Sequence, residues 1–105
     1  MMTEPGRILV IRLSSIGDVV MATPIAEALK SKFPGAFLAW AVDRRCREVV
    51  EGNPFVDEVL VWDRTAAGLL RLGRELRRRR FDLVVDAQGH LRSGALAWLS
   101  GAPVR

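Results

Sequence analysis

Residues 8–24, ILVIRLSSIGDVVMATP, decide the fold. Arg7 to Leu13 is a continuous apolar run with one internal arginine, as expected of a strand buried on both faces. It runs into Ser14-Ser15-Ile16-Gly17-Asp18, and the chain then turns toward a helix that ends near Lys32. Thr23 suits the N-cap of that helix and Pro24 its first position. A start nearer Gly17, with Pro24 inside the first turns, is the other possibility.

The alternation continues down the chain. "FPG" at 33–35 stops the helix, Ala36 to Val42 reads as a second strand, and a short helix around Arg45 to Glu51 is closed by "GNP" at 52–54. Val56 to Trp62 is a third strand, and Thr65 to Arg79 is helical. At 100° per residue Leu69, Leu72 and Leu76 share one face of that helix, with Arg71, Arg74 and Arg78 opposite. FDLVVDAQG supplies a fourth strand ending at Asp86, Leu91 to Leu99 a further helix, and GAPVR the approach to a fifth strand. Strands and helices in strict alternation imply a parallel sheet with right-handed crossovers and helices on both faces. The fold class expected is α/β, a Rossmann-like domain of strand order 3-2-1-4. Ligands of such sheets sit beyond the carboxyl ends of the strands. Loops 14–18 and 87–93 both lie there, and the strand order makes them neighbours.

Composition narrows the class. The chain has 105 residues, 50% hydrophobic and 27% charged, which fits one globular domain. No apolar run approaches the ~18–20 residues that span a bilayer. MMTEPGR carries no basic segment leading into an apolar one, so a cytoplasmic location is expected. Cys46 is the only cysteine, which excludes an internal disulfide and makes a cysteine metal cluster implausible. Its arginine neighbours could activate a thiolate, but a plain cysteine near a helix start fits as well, and no function is assigned to it. The formal charge is +4, and every basic residue except Lys30 and Lys32 is arginine. That bias suits bidentate contacts to phosphate or carboxylate.

Gly17 permits a tight turn and a close backbone approach. Ser14 and Ser15 offer hydroxyls. There is no G-x-G-x-x-G after the first strand and no G-K-[ST], so neither a dinucleotide fingerprint nor a P-loop is present. Asp18 is poor company for a phosphate and better suited to accept a hydroxyl hydrogen bond or to act as a general base. Serine and aspartate are also ordinary helix caps and glycine an ordinary turn residue. The residues alone leave both readings open, as they do for DAQGH at 86–90, where His90 is either an acid-base group or a solvated loop residue.

Three segments together, ILVIRLSSIGDVVMATPIAEALKSKFPGAFLAWAV, NPFVDEVLVWD and FDLVVDAQGHLRSGALAWLSGAP, resemble the amino-terminal domain of the ADP-heptose:lipopolysaccharide heptosyltransferases, glycosyltransferase family 9. The resemblance covers nearly all 105 residues in order. It implies the amino-terminal, acceptor-side half of a GT-B enzyme, with the carboxyl-terminal donor-binding domain outside this chain and the isolated chain inactive. The implied reaction is inverting and needs neither metal nor cofactor. An acceptor hydroxyl on a lipid A–Kdo type molecule attacks the anomeric carbon of ADP-heptose.

By the same resemblance Asp18 is the base. A helix start lowers a carboxylate pKa, so Asp18 is expected mainly to orient the hydroxyl and to take its proton late. Ser14, Ser15 and Gly17 fall on the acceptor side of the cleft, as do Gln88, Gly89, Arg92 and Ser93 of the second loop. Arg64, Arg71 and Arg74 are further candidates for the acceptor's anionic groups. Arg77 to Arg80 could face phospholipid in a peripheral association with the inner membrane, or simply solvent. Two rivals remain: a stand-alone Rossmann-like nucleotide- or phosphate-binding module, disfavoured by the missing glycine fingerprint, and a basic nucleic-acid-binding domain. The pI near 10.5 suggests the latter. Trp40, Trp62 and Trp98 sit in apolar contexts rather than among the arginines, so no nucleic acid partner is expected.

Overall fold

The computed structural model of the chain describes residues 4–88 and 91–103, and for residues 91–93 and 95 the backbone only. Its elements run β1 (Arg7–Ile11), α1 (Ile16–Ala22), α2 (Pro24–Lys32), β2 (Phe37–Asp43), a 3-10 turn (Arg44–Cys46), α3 (Arg47–Glu51), β3 (Glu58–Trp62), α4 (Ala66–Arg79), β4 (Leu83–Asp86) and α5 (Leu91–Leu99). The four strands form one parallel sheet in the order β3-β2-β1-β4, as the alternating pattern predicts. The expected fifth strand falls on residues 101–105. Gly101 to Pro103 form a turn and bend, and Val104 and Arg105 lie outside the described residues. Among the described residues no helix is long and apolar enough to cross a membrane.

β1 is apolar from Ile8 to Ile11 because both its faces are covered there. Ile8, Leu9, Val10 and Ile11 are fully buried. Leu9, Ile11 and Leu13 enter a layer with Leu72 and Leu76 of α4 and Leu96 and Ala97 of α5. Val10 enters the opposite layer, with Val19 of α1, Ala26 of α2, Trp40 of β2 and Val50 of α3. Each such valine, leucine or isoleucine contributes roughly 1.5–3 kcal/mol by leaving water. The α4 wheel is as expected: Leu72 and Leu76 are buried, Leu69 is partly buried, and Arg71, Arg74 and Arg78 are exposed. Gly73 lets α5 come close, since a Cβ there would stand 2.7 Å from Leu99 Cδ1.

The first helical segment departs from expectation. It is two helices, broken between Ala22 and Pro24, and Thr23 is not a side-chain N-cap. Pro24 has no N–H to give the Val20 carbonyl, which would otherwise end the turn unsatisfied. Thr23 supplies the substitute: its hydroxyl donates to that carbonyl at 2.7 Å and its N–H at 3.2 Å. Both alternatives read from the sequence are therefore partly right, with one helix starting at Ile16 and the next at Pro24.

Asp57 fastens β3 to β2 ahead of the ladder. Its N–H donates to the Leu38 carbonyl at 2.8 Å, and its carboxylate accepts the Leu38 N–H at 2.8 Å and Lys30 Nζ at 2.6 Å. Partial burial pushes the carboxyl pKa up, but the Lys30 and Leu38 hydrogen bonds and the Lys30 charge outweigh it and hold it below the usual carboxylate value. A carboxylate depressed in the fold stabilises it fully above its unfolded pKa, near ~3.9, and stops doing so as pH falls through the lower folded value. Asp57→Asn should therefore cost most stability at neutral pH, with the gap to the parent shrinking as pH falls below ~3.9 and through the lower folded value. Urea melts at pH 7 and pH 3 check this, and a gap of constant size would count against it.

Candidate functional site

The site grows from the carboxyl edge of β1. Past Ile11 the chain still runs beside its neighbours: the Arg12 N–H donates to the Ala41 carbonyl at 3.3 Å, and the Leu13 carbonyl accepts the Asp43 N–H at 2.9 Å. On the other side the Ala87 N–H donates to the Ile11 carbonyl at 2.9 Å. Backbone pairing with β4 ends there, which leaves the N–H groups of Leu13 and Ser14 in need of acceptors. Gln88 provides one. Its side chain is buried, and Oε1 accepts from Leu13 N–H at 2.8 Å and Ser14 N–H at 3.2 Å. The Gln88 N–H in turn donates to Asp86 Oδ1 at 3.1 Å, which sets the turn after β4. The two loops expected to be neighbours are thus hydrogen-bonded to each other.

Ser15 precedes α1 in extended backbone geometry, and its carbonyl accepts the Val19 N–H at 2.8 Å. Asp18, three residues on, occupies the position from which an acidic side chain reaches back over the helix start. The Ser15 hydroxyl donates to Asp18 Oδ2 at 3.0 Å, and Arg12 Nη2 lies 3.2 Å from the same oxygen. Hydrogen bonds from the Ser15 hydroxyl and N–H, then the Arg12 charge, hold the Asp18 carboxyl below its usual pKa, against a small opposing effect of burial. Its side chain is 58% exposed, so the ionised group is open to a ligand.

Beside it, Ser15, Ile16, Gly17, Arg45 and Cys46 line a cavity of about 320 Å3. A Cβ at Gly17 would meet nothing within 4 Å. Gly17 sits within α1 rather than in a tight turn, so the fold itself does not demand glycine there. Cys46 is buried, and burial followed by the Asp43 charge pushes its thiol pKa up, which disposes of the activated thiolate. A second cavity, about 390 Å3, is lined by Thr23, Pro24, Glu27 and Phe55 among others and includes none of the loop residues above. Among the described residues no cluster of three or more His, Cys, Asp or Glu could hold a metal ion.

The remaining candidates are placed unevenly. Arg64 pairs with Asp43, a fully buried carboxylate at the end of β2, and lies over the Trp62 ring at 5.8 Å. Arg71 pairs with Asp63 at 2.9 Å and is exposed. No described contact joins either arginine to Asp18. Gly89 and His90 lie outside the described residues; Arg92 and Ser93 fall in α5, their side chains outside the description. Sequence reasoning passed over Arg12, whose signal was a charge inside an apolar strand, and Asp43, a carboxylate closing an apolar one. It also passed over Arg45, which is 3.6 Å from Asp43 and faces the cavity.

Comparison with known proteins bears on this geometry. A family model described as glycosyltransferase family 9 (heptosyltransferase) matches residues 69–105. The crystal structure of a glycosyl transferase family 9 protein from Veillonella parvula superimposes with a TM-score of 0.86 at 32% identity, over 93% of this chain and 30% of that one. The chain belongs to glycosyltransferase family 9. The family 9 domain is also 31% identical to lipopolysaccharide heptosyltransferase 1 of Pseudomonas aeruginosa, over 90% of this chain and 29% of that protein. The Escherichia coli ADP-heptose lipopolysaccharide heptosyltransferase II structure matches with a TM-score of 0.80 at 26% identity, over 92% of this chain and 29% of that one. The chain thus spans under a third of these three relatives.

The Gln88 clamp of this family 9 domain is open to test. Gln88→Ala should destabilise the chain by about 1–3 kcal/mol, because two backbone donors lose their acceptor in a buried place. Gln88→Glu, which keeps an acceptor oxygen, should recover most of that loss in urea melts. Equal stability of Gln88→Ala and the parent would show that the clamp contributes nothing.

Proposed function

We propose that this chain is the acceptor-side half of an inverting heptosyltransferase, which transfers heptose from ADP-heptose to the inner core of lipopolysaccharide. The observation that carries the reading is Asp18: an ionised, solvent-open carboxylate at the carboxyl edge of the sheet, fixed by Ser15 and Arg12 beside a cavity. The chain's similarity to a lipopolysaccharide heptosyltransferase of Pseudomonas aeruginosa and an ADP-heptose lipopolysaccharide heptosyltransferase of Escherichia coli suggests the donor and acceptor class.

In the proposed reaction the acceptor hydroxyl hydrogen-bonds to Asp18 and attacks the anomeric carbon from the face opposite the nucleotide. The new C–O bond forms as the bond to ADP breaks, and the electron pair leaves with ADP. The hydroxyl proton passes to Asp18. Because Asp18 is a weak base, the proton moves late, once the attacking oxygen has become acidic. No metal is needed at this half of the site. The ADP-heptose pocket lies in the part of the enzyme outside these 105 residues, and the chain alone binds acceptor without turning over.

The acceptor proposed is a lipid A–Kdo type molecule, whose carboxylates and phosphates suit Arg45 and Arg92 at the start of α5. Exposed Arg74, Arg77 and Arg80 along and beyond α4, with Trp98 of α5 at 70% exposure, suit peripheral association with the cytoplasmic face of the inner membrane. Arg78 and Arg79 are less available, since both pair with Glu75 and Arg79 also with Glu58.

Asp18→Asn in the full-length enzyme should lower kcat by at least about 100-fold while acceptor binding survives. Steady-state kinetics with a matching acceptor-binding isotherm check this. Turnover near the parent's would remove Asp18 from the chemistry.

A further inference from the structure

Arg12 is an unexpected residue for its place. It follows a strand whose residues from Ile8 to Ile11 are fully buried, and its own side chain is only 18% exposed. Placing a guanidinium there costs hydration, which only good partners offset. Two partners are present. Nη1 donates to the Ala87 carbonyl at 2.7 Å, and Nη2 lies 3.2 Å from Asp18 Oδ2, while the buried Nε has no hydrogen-bond partner. The head is therefore set for the reach of its two terminal nitrogens, not for its own saturation. The backbone of Arg12 is equally fixed, because its carbonyl accepts Trp40 Nε1 at 3.2 Å and its N–H donates to Ala41 at 3.3 Å.

The second half of the observation lies on the carboxylate. The Ser15 hydroxyl and the Arg12 guanidinium both fall on Oδ2 of Asp18. Neither side-chain contact uses Oδ1. We propose that Arg12 is a positioning residue: anchored on the Ala87 carbonyl, it grips Oδ2 and turns Oδ1 of Asp18 toward the acceptor hydroxyl. This rests on Asp18 as the group facing that hydroxyl, and adds what holds it there. It also gives the post-β4 loop a direct line to the reacting carboxylate, since the anchor is the residue before Gln88. Arginine suits the task where lysine does not, because a planar fork spans two acceptors at once and a point charge serves one.

The contact and its catalytic consequence are measured separately. In the 105-residue chain, the Asp18 carboxyl carbon is titrated by NMR in the parent and in Arg12→Met, Arg12→Gln and Arg12→Lys. The Asp18 midpoint should lie below the ordinary ~3.9 in the parent, rise toward it in Arg12→Met and Arg12→Gln, and stay low in Arg12→Lys. Arg12→Gln removes the charge and keeps a polar side chain that ends near the position of Nε, so it is a second neutral variant that guards against loss of the fold in Arg12→Met. In the full-length enzyme, Arg12→Gln should lower kcat by about 10- to 100-fold with the acceptor KM within about twofold, and Arg12→Lys should recover part of the loss. An unmoved Asp18 midpoint in a folded Arg12→Gln overturns the grip. A moved midpoint with parental kcat overturns the positioning role. Parental turnover in Asp18→Asn instead overturns the functional reading and leaves the Arg12 contact standing.

Discussion

The central constraint is the backbone of residues 12–14, where β1 has left its neighbour β4 but has not yet reached water. Polar groups at such a point need partners, because an unmet buried donor costs roughly 1–3 kcal/mol. Gln88 meets the N–H groups of Leu13 and Ser14, and Arg12 meets the Ala87 carbonyl. These bonds join positions some 75 apart in sequence. They turn two separate loops into one rigid rim, and α1 with Asp18 starts from that rim. The order and polarity of the sheet decide where the rim is; the Gln88 and Arg12 bonds decide that it is fixed.

Much of the fold was legible because it is written in local patterns. The apolar run Ile8 to Ile11 of β1 and the run Leu91 to Leu99 each announce their element, and the Leu69-Leu72-Leu76 stripe announces the buried face of α4 as well. Strand order followed from the usual arrangement of a doubly wound sheet, once the alternation pointed to one. What stayed hidden depended on partners distant in sequence. Nothing near Arg12 in the chain says that it reaches the Ala87 carbonyl, and nothing near Gln88 says that its oxygen replaces a strand. The break at Thr23 was half legible: Pro24 announces that a carbonyl will lose its donor, but not that a threonine hydroxyl will stand in. Gly17 was legible as an unusual residue and misread as a turn. It lies in a helix with open space before it, so its smallness matters for the space and not for the backbone.

The surplus of arginine also reads differently in three dimensions. Arg64 satisfies the buried Asp43, Arg71 meets Asp63, and Arg78 and Arg79 gather on Glu75. The exposed pairs among these, such as Arg71 with Asp63, add little stability, typically under about 1 kcal/mol each. Their effect is on charge available at the surface: much of the basic run is matched by nearby carboxylates. Arg45, 3.6 Å from the same Asp43 that Arg64 meets, differs in lining the cavity beside α1, where an anionic sugar could approach. An electrostatic role for the site therefore centres on Arg45 rather than on Arg64.

The central claim is that the two loops act as one acceptor-facing unit. Titrating the isotope-labelled chain with a soluble Kdo-bearing inner-core oligosaccharide, and following backbone amide signals, tests it most directly. The account predicts saturable shifts at Ser14 to Asp18, at Arg45 and Cys46, and at Ala87 and Gln88, all with one dissociation constant. Shifts confined to the α4 end around Arg77 to Arg80, or none at Ser14 to Asp18 at saturation, would contradict it.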